Sequence, residues 1–282
     1  MQRFEGHFQG YDDTELFFQT WSKEQPKGSI ILTHGLAEHS ECYHPLAKTL
    51  AENGWYVIGW DLRGHGRSEG KRGFVKDFGD YERDLESLIK HVRQNETVKA
   101  NPFVLFGHSM GGLITLQNLL KSSDAPPDAA VLSSPALGLS MQVPKLKEEV
   151  AKLAEKWLPS LTLNNDIKYS DLSRDPKMVE SYPKDPLRHD KVSPGIFLGM
   201  LRAFAYVSEH ASEIQVPVMF QISGDDRLVS AAASREVFPK LSNKKNVIHV
   251  YPDSYHEIYN DLDRESVIAD LKKFLGSFKR HQ

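Results

Sequence analysis

The chain is poor in cysteine, in long apolar runs and in charge of one sign, and each shortage excludes a class of protein. Cys42 is the single cysteine among 282 residues, so no internal disulfide forms and a disulfide-stapled scaffold is ruled out. No apolar run approaches the ~18 residues that a membrane span needs. Lys and Arg number 35 against 38 Asp and Glu, a formal net charge of −3. A protein gripping nucleic acid through its phosphates would be more basic, so nucleic acid is not an expected partner. The opening residues Met1-Gln2-Arg3-Phe4-Glu5-Gly6-His7 lack the apolar core of a secretory leader. With 40% hydrophobic and 26% charged residues, the expectation is a soluble, cytoplasmic globular protein.

What is present is a rhythm of strands and helices. Ser29–Thr33 and Trp55–Trp60 are continuous apolar runs, as in strands buried on both faces. Glu15–Trp21 reads as an edge strand, and His44–Glu52 as a helix ended by Asn53-Gly54. Asp77–Arg93 reads as a longer helix with Tyr81, Leu85, Leu88, Ile89 and Val92 on one face. Pro102–Phe106 is the next strand, then a helix from Met110 to about Lys121, then a strand at Ala129–Ser133. The rhythm resumes with strands at Pro217–Ile222 and Asn246–Tyr251 and a helix over Arg264–Phe278. Such alternation predicts an α/β fold with a mostly parallel central sheet flanked by helices. Residues 135–215 break it, with apolar helical segments at Val150–Leu158 and Ile196–Val207 joined by Asp-, Ser- and Pro-rich chain. The expected organisation is a core from residues 1–134 and 216–282, with 135–215 inserted as a helical cap, or lid.

The chemistry is carried by Gly107-His108-Ser109-Met110-Gly111, a G-x-S-x-G element between a strong strand and a strong helix. A strand that turns straight into a helix forces Ser109 to positive φ, at a cost of about 1–3 kcal/mol. Glycine is required on either side because a Cβ would clash in so tight a turn. The serine hydroxyl is thereby lifted clear of the sheet, beside a helix N-terminus that favours a developing anion.

A serine hydroxyl needs a base, and in this arrangement the chain order is Ser, then Asp or Glu, then His. Gly224-Asp225-Asp226-Arg227 follows one late strand, and Asp253-Ser254-Tyr255-His256 follows the last. His256 is the expected base; Asp226 is the expected acid, with Asp225 a neighbour that spacing does not separate from it. The oxyanion donors fall on the backbone N–H groups of Leu36, in the loop after Ser29–Thr33, and of Met110. His34, His39, Cys42 and His44 invite a metal reading, but their spacing matches no closed zinc pattern, so no metal or organic cofactor is expected. Gly64-His65-Gly66-Arg67-Ser68-Glu69 lacks the third glycine of a dinucleotide fingerprint and reads as a structural loop. His108 is expected to point away from Ser109 and support the loop.

These residues together resemble the α/β-hydrolases of the monoacylglycerol lipase and lysophospholipase group. The matching pieces are His34–Ser40, Asp61–Ser68, Gly107–Gly112, Asp226-Arg227-Leu228 and Tyr255-His256, with weaker likeness at Leu158–Leu163 and Asp185-Pro186-Leu187. The resemblance implies a serine hydrolase that releases fatty acid from monoacylglycerol, with nucleophile, acid and base on Ser109, Asp226 and His256. In that group a small residue is usual where Leu36 stands and an arginine where Cys42 stands; Glu38 is a further candidate contact for a glycerol head group. The apolar excess around Phe197 and Leu201 is expected to line an acyl channel or to rest on a membrane surface, with a small lipid ester as substrate. Lysophospholipase, general carboxylesterase and aminopeptidase activities share the scaffold, as do small-molecule receptors.

Overall fold

A computed structural model describes residues 1–99, 102–121, 126–141 and 144–278. Its strands are β1 (Gln2–Gln9), β2 (Glu15–Ser22), β3 (Gly28–Thr33), β4 (Trp55–Trp60), β5 (Phe103–His108), β6 (Ala129–Ser133), β7 (Leu163–Asn164), β8 (Lys191–Val192), β9 (Val218–Ser223) and β10 (Val247–Tyr251). Among the described residues, β1-β2-β4-β3-β5-β6-β9-β10 form one sheet in that order, while β7 and β8 pair separately. From β4 to β10 every pairing is parallel; β1 and β2 join antiparallel at one side.

The expectation of an edge strand at Glu15–Trp21 is corrected here: β2 is interior, because β1 pairs along its whole length. The polar spacing of Gln2–Gln9 concealed a strand whose Phe4 and Phe8 rings both meet Phe18, with centroids 5.9 and 6.2 Å apart.

The helices are α1 (His44–Glu52), α2 (Gly79–Val92), α3 (Glu96–Lys99), α4 (Met110–Lys121), α5 (Lys145–Trp157), α6 (Pro176–Ser181), α7 (Pro194–His210), α8 (Ala231–Val237) and α9 (Arg264–Leu275). They cover the sheet on both sides. Ile31, Ile58 and Leu105 face α2, α4 and α7, whereas Ile30, Leu32, Val104 and Phe106 face α1 and α9. Successive strand residues thus enter opposite cores, which is why these strands are apolar throughout rather than alternating.

The sheet delivers the loops after β3, β5, β9 and β10 to one edge, as parallel strands require. Between β6 and β9 the chain builds α5 to α7. Here α5 sits with Ala151 and Ala154 partly covered, and Glu155 accepts a hydrogen bond from Arg202 of α7 at 3.0 Å. Its larger side chains face outward: Leu146 is 76% exposed, Leu153 61% and Trp157 72%. No described helix is long and apolar enough to cross a membrane.

Candidate active site

Ser109 stands where β5 turns into α4, with φ +52°. A Cβ at Gly107 would lie 2.4 Å from the Gly111 carbonyl oxygen, and one at Gly111 would lie 2.3 Å from that of Thr33. The turn therefore admits only glycine at both positions. The strained residue is pinned from both ends of its peptide unit: its N–H donates to the Ser133 carbonyl at 3.0 Å, and its carbonyl accepts from Ala136 N–H at 3.0 Å.

The late loops bring the remaining groups to this serine. His256 Nε2 is 2.9 Å from Ser109 Oγ, and His256 Nδ1 is 2.7 Å from Asp226 Oδ2. The neighbouring aspartates point in different directions. Asp226 turns inward and accepts from Leu228 and Val229 N–H, both at 2.9 Å. Asp225 is exposed and pairs with Arg227 at 3.3 Å. Burial alone would push the His256 pKa down; the Asp226 carboxylate outweighs it and raises the pKa above the ordinary histidine value. The same pairing, with the two backbone N–H donors, overcomes burial at Asp226 and holds its carboxyl below the usual range. The arrangement suits a base that accepts a proton from Ser109 and a carboxylate that stabilises the resulting imidazolium.

His108 departs from expectation in part. Its Nδ1 meets Ser133 Oγ at 3.1 Å, supporting the loop, but its ring also packs against that of His256 with centroids 4.8 Å apart. Burial, followed by the neighbouring imidazole, pushes its pKa down to about 3, so it stays neutral beside the base.

The loop after β3 passes close over the nucleophile. A Cβ on Gly35 would stand 3.1 Å from Ser109 Cβ, and Ala37 adopts φ +67° to complete the bend. Leu36 follows Gly35 in this loop, and Met110 opens α4 directly after Ser109. His34 is a structural residue: its Nε2 accepts from Leu62 N–H at 2.9 Å. The Gly64–Gly70 stretch is likewise structural. Asp61 accepts from Ser40 and Arg67 N–H at 2.7 and 2.8 Å, and Arg63 pairs with Asp84 at 2.6 Å.

The candidate metal ligands regroup. His39, Cys42 and Asp185 bring ligand atoms within 4.8 Å of one another, without His34 or His44. His39 Nε2 is already engaged by Asp185 at 2.8 Å. Cys42 lies in the opposing fields of Arg188 and of Glu38 and Glu257.

Residues 24–263 match the family described as serine aminopeptidase, S33. The chain belongs to that hydrolase family. The monoacylglycerol lipase of Mycolicibacterium smegmatis is 30% identical over 98% of both chains. Phospholipase YtpA of Bacillus subtilis is 27% identical over 92% of this chain and 99% of its own. The crystal structure of Paleococcus ferrophilus monoacylglycerol lipase superposes with a TM-score of 0.82 at 29% identity, covering 98% of this chain and 99% of that one. The fold is that of the α/β-hydrolases, and the protein is a serine hydrolase.

Within this hydrolase the sequence-predicted substrate contacts fare unevenly. Phe197 and Leu201 lie one turn apart on α7, both half-buried. Glu38 is buried, and its Oε1 accepts from Gly35 N–H at 2.5 Å and from the Tyr43 hydroxyl at 2.7 Å. Burial, then the charge of Glu257, pushes its pKa up to about 7. Sequence reasoning missed Glu257, Tyr182 and Arg188, which gather beside Glu38. Of the three, only Glu257 carried a local signal, its place directly after His256.

Proposed function

We propose that the protein hydrolyses long-chain monoacylglycerol through an acyl-enzyme on Ser109. The observation that carries the chemistry is the hydrogen-bonded chain Ser109–His256–Asp226, with links of 2.9 and 2.7 Å. Ser109 Oγ attacks the ester carbonyl carbon while His256 Nε2 takes its proton. The N–H groups of Leu36 and Met110 receive the tetrahedral oxyanion, and each such donor is worth about 3–4 kcal/mol in the transition state. Glycerol departs with the proton from His256. Water then attacks the acyl-enzyme with His256 again as base, and the fatty acid leaves. None of these steps calls for a metal or organic cofactor.

The substrate assignment is supported by the lipase relatives and by the segment between β6 and β9. In this reading residues 135–215 form a cap over the site, and Phe197 and Leu201 flank the acyl chain. The outward stripe Leu146, Val150, Leu153 and Trp157 repeats at helical spacing on α5, with Lys145, Lys152 and Lys156 exposed on the same helix. Such a face fits transient contact with an anionic lipid surface, from which the substrate is drawn.

The phospholipase relative supports lysophospholipid as a second reading, since the acyl chain is shared and the head group differs. A fluorophosphonate probe tests the site, with competing lipid testing the head group. Labelling is expected in the wild type, absent in Ser109→Ala, and slowed more by 1-oleoylglycerol than by lysophosphatidylcholine. Labelling that persists in Ser109→Ala refutes the nucleophile; stronger protection by the lysophospholipid moves the assignment to the second reading.

A further inference from the structure

Beside the reacting groups lies a buried charge cluster that the mechanism above does not use. Glu38, Arg188 and Glu257 come from the loop after β3, the segment between α6 and α7, and the position after His256. Arg188 Nη2 is 3.2 Å from Glu257 Oε1 and 3.8 Å from Glu38 Oε2, and 6% of its side chain is exposed. The Tyr182 hydroxyl donates to Glu257 Oε2 at 2.7 Å, and the guanidinium lies 4.3 Å from the Tyr182 ring centre. Two carboxylates at this depth are tolerated because a cation stands between them. Arg188 holds Glu257 below the ordinary carboxylate range against its burial.

What the cluster touches gives it meaning. Glu38 accepts from the Gly35 N–H, at the point where the loop passes closest to Ser109 and one residue before Leu36. The segment that supplies Arg188 is tied to the same loop twice more. His39 Nε2 pairs with Asp185 Oδ2 at 2.8 Å, and His189 N–H donates to the Ala37 carbonyl at 3.2 Å. The oxyanion loop is therefore braced from outside by residues 185–189.

We propose that Arg188 is a positioning residue for ester hydrolysis, its guanidinium setting the Gly35–Leu36 backbone against Ser109 through Glu38 and anchoring the His256 loop through Glu257. This rests on the reading of Leu36 N–H as an oxyanion donor. Without the guanidinium, Glu38 and Glu257 keep their hydrogen bonds but face each other with no cation between them. Relief comes when a carboxyl takes a proton or swings away, and either change loosens the hydrogen bond to Gly35. A displacement of about 1 Å at such a donor costs on the order of 10²-fold in rate.

The test measures kcat and KM for a monoacylglycerol and a p-nitrophenyl ester of the same acyl chain, with the folded state of each variant checked by circular dichroism. Arg188→Met is expected to lower kcat on the order of 10–100-fold on both esters while KM changes little. Cys42 lies within the field of Arg188, Glu38 and Glu257. Cys42→Arg combined with Arg188→Met returns a guanidinium to that field and is expected to recover most of the lost kcat. Wild-type kcat in Arg188→Met overturns the proposal, and so does a folded double variant with no recovery. A loss confined to monoacylglycerol and expressed in KM also overturns it, making Arg188 a head-group contact. Should both variants fail to fold, Arg188→Lys decides. A point charge spans the two carboxylates poorly, so a reduced kcat is expected and a wild-type kcat contradicts the proposal. Wild-type protein inactive on both esters would instead overturn the monoacylglycerol reading, before any variant is made.

Discussion

At the scale of residues, burial and Asp226 pull the proton affinity of His256 in opposite directions, and Asp226 prevails. The base must be neutral to accept the serine proton, so kcat/KM should rise with pH through a pKa above the ordinary histidine value. Asp226→Asn removes the main opponent of burial and leaves only the fields of Glu257 and Glu38 against it. Its acid limb should move to lower pH while kcat falls roughly 10⁴-fold, as at analogous triads. A pH–rate profile checks both; an acid limb that stays put would show that Asp226 does not govern the histidine. Ser109 and His256 were legible because an elbow motif and a fixed chain order mark them. Asp226 was not separable from Asp225 by spacing, since the distinction lies in which carboxylate turns back onto Leu228 and Val229 N–H. Arg188 was invisible: its meaning depends on two carboxylates, one 150 and one 69 positions away in the chain.

At the scale of elements, the buried strands and the helices packed on them were readable because their apolar runs and 3.6-residue stripes are local signals. His44–Glu52 and Met110–Lys121 match their expected spans. β1 was missed because it is largely solvent-facing, and α8 because its seven residues, Ala231–Val237, carry too short a pattern. In α5 the stripe was readable but its direction was not: the Leu and Trp side chains face out, and the alanines pack. That orientation yields a prediction for the membrane reading. Leu153→Glu with Trp157→Glu should weaken sedimentation with anionic lipid vesicles and slow release from vesicle-borne substrate. Hydrolysis of a short soluble ester should be unchanged. Undiminished vesicle binding would refute the role of this face.

At the scale of the molecule, a parallel sheet brings four distant loops to one edge, and the segment between β6 and β9 supplies both an apolar outer face and contacts to the loop after β3. Family membership is consistent with that whole-chain architecture, while substrate preference depends on a handful of side chains at the edge. The most direct test of the central claim is fatty-acid release from monoacylglycerol by the intact protein, with Ser109→Ala as the paired control. Release by the wild type that is abolished in a folded Ser109→Ala variant is the predicted result. No release from folded wild-type protein, or equal release from the variant, would contradict it.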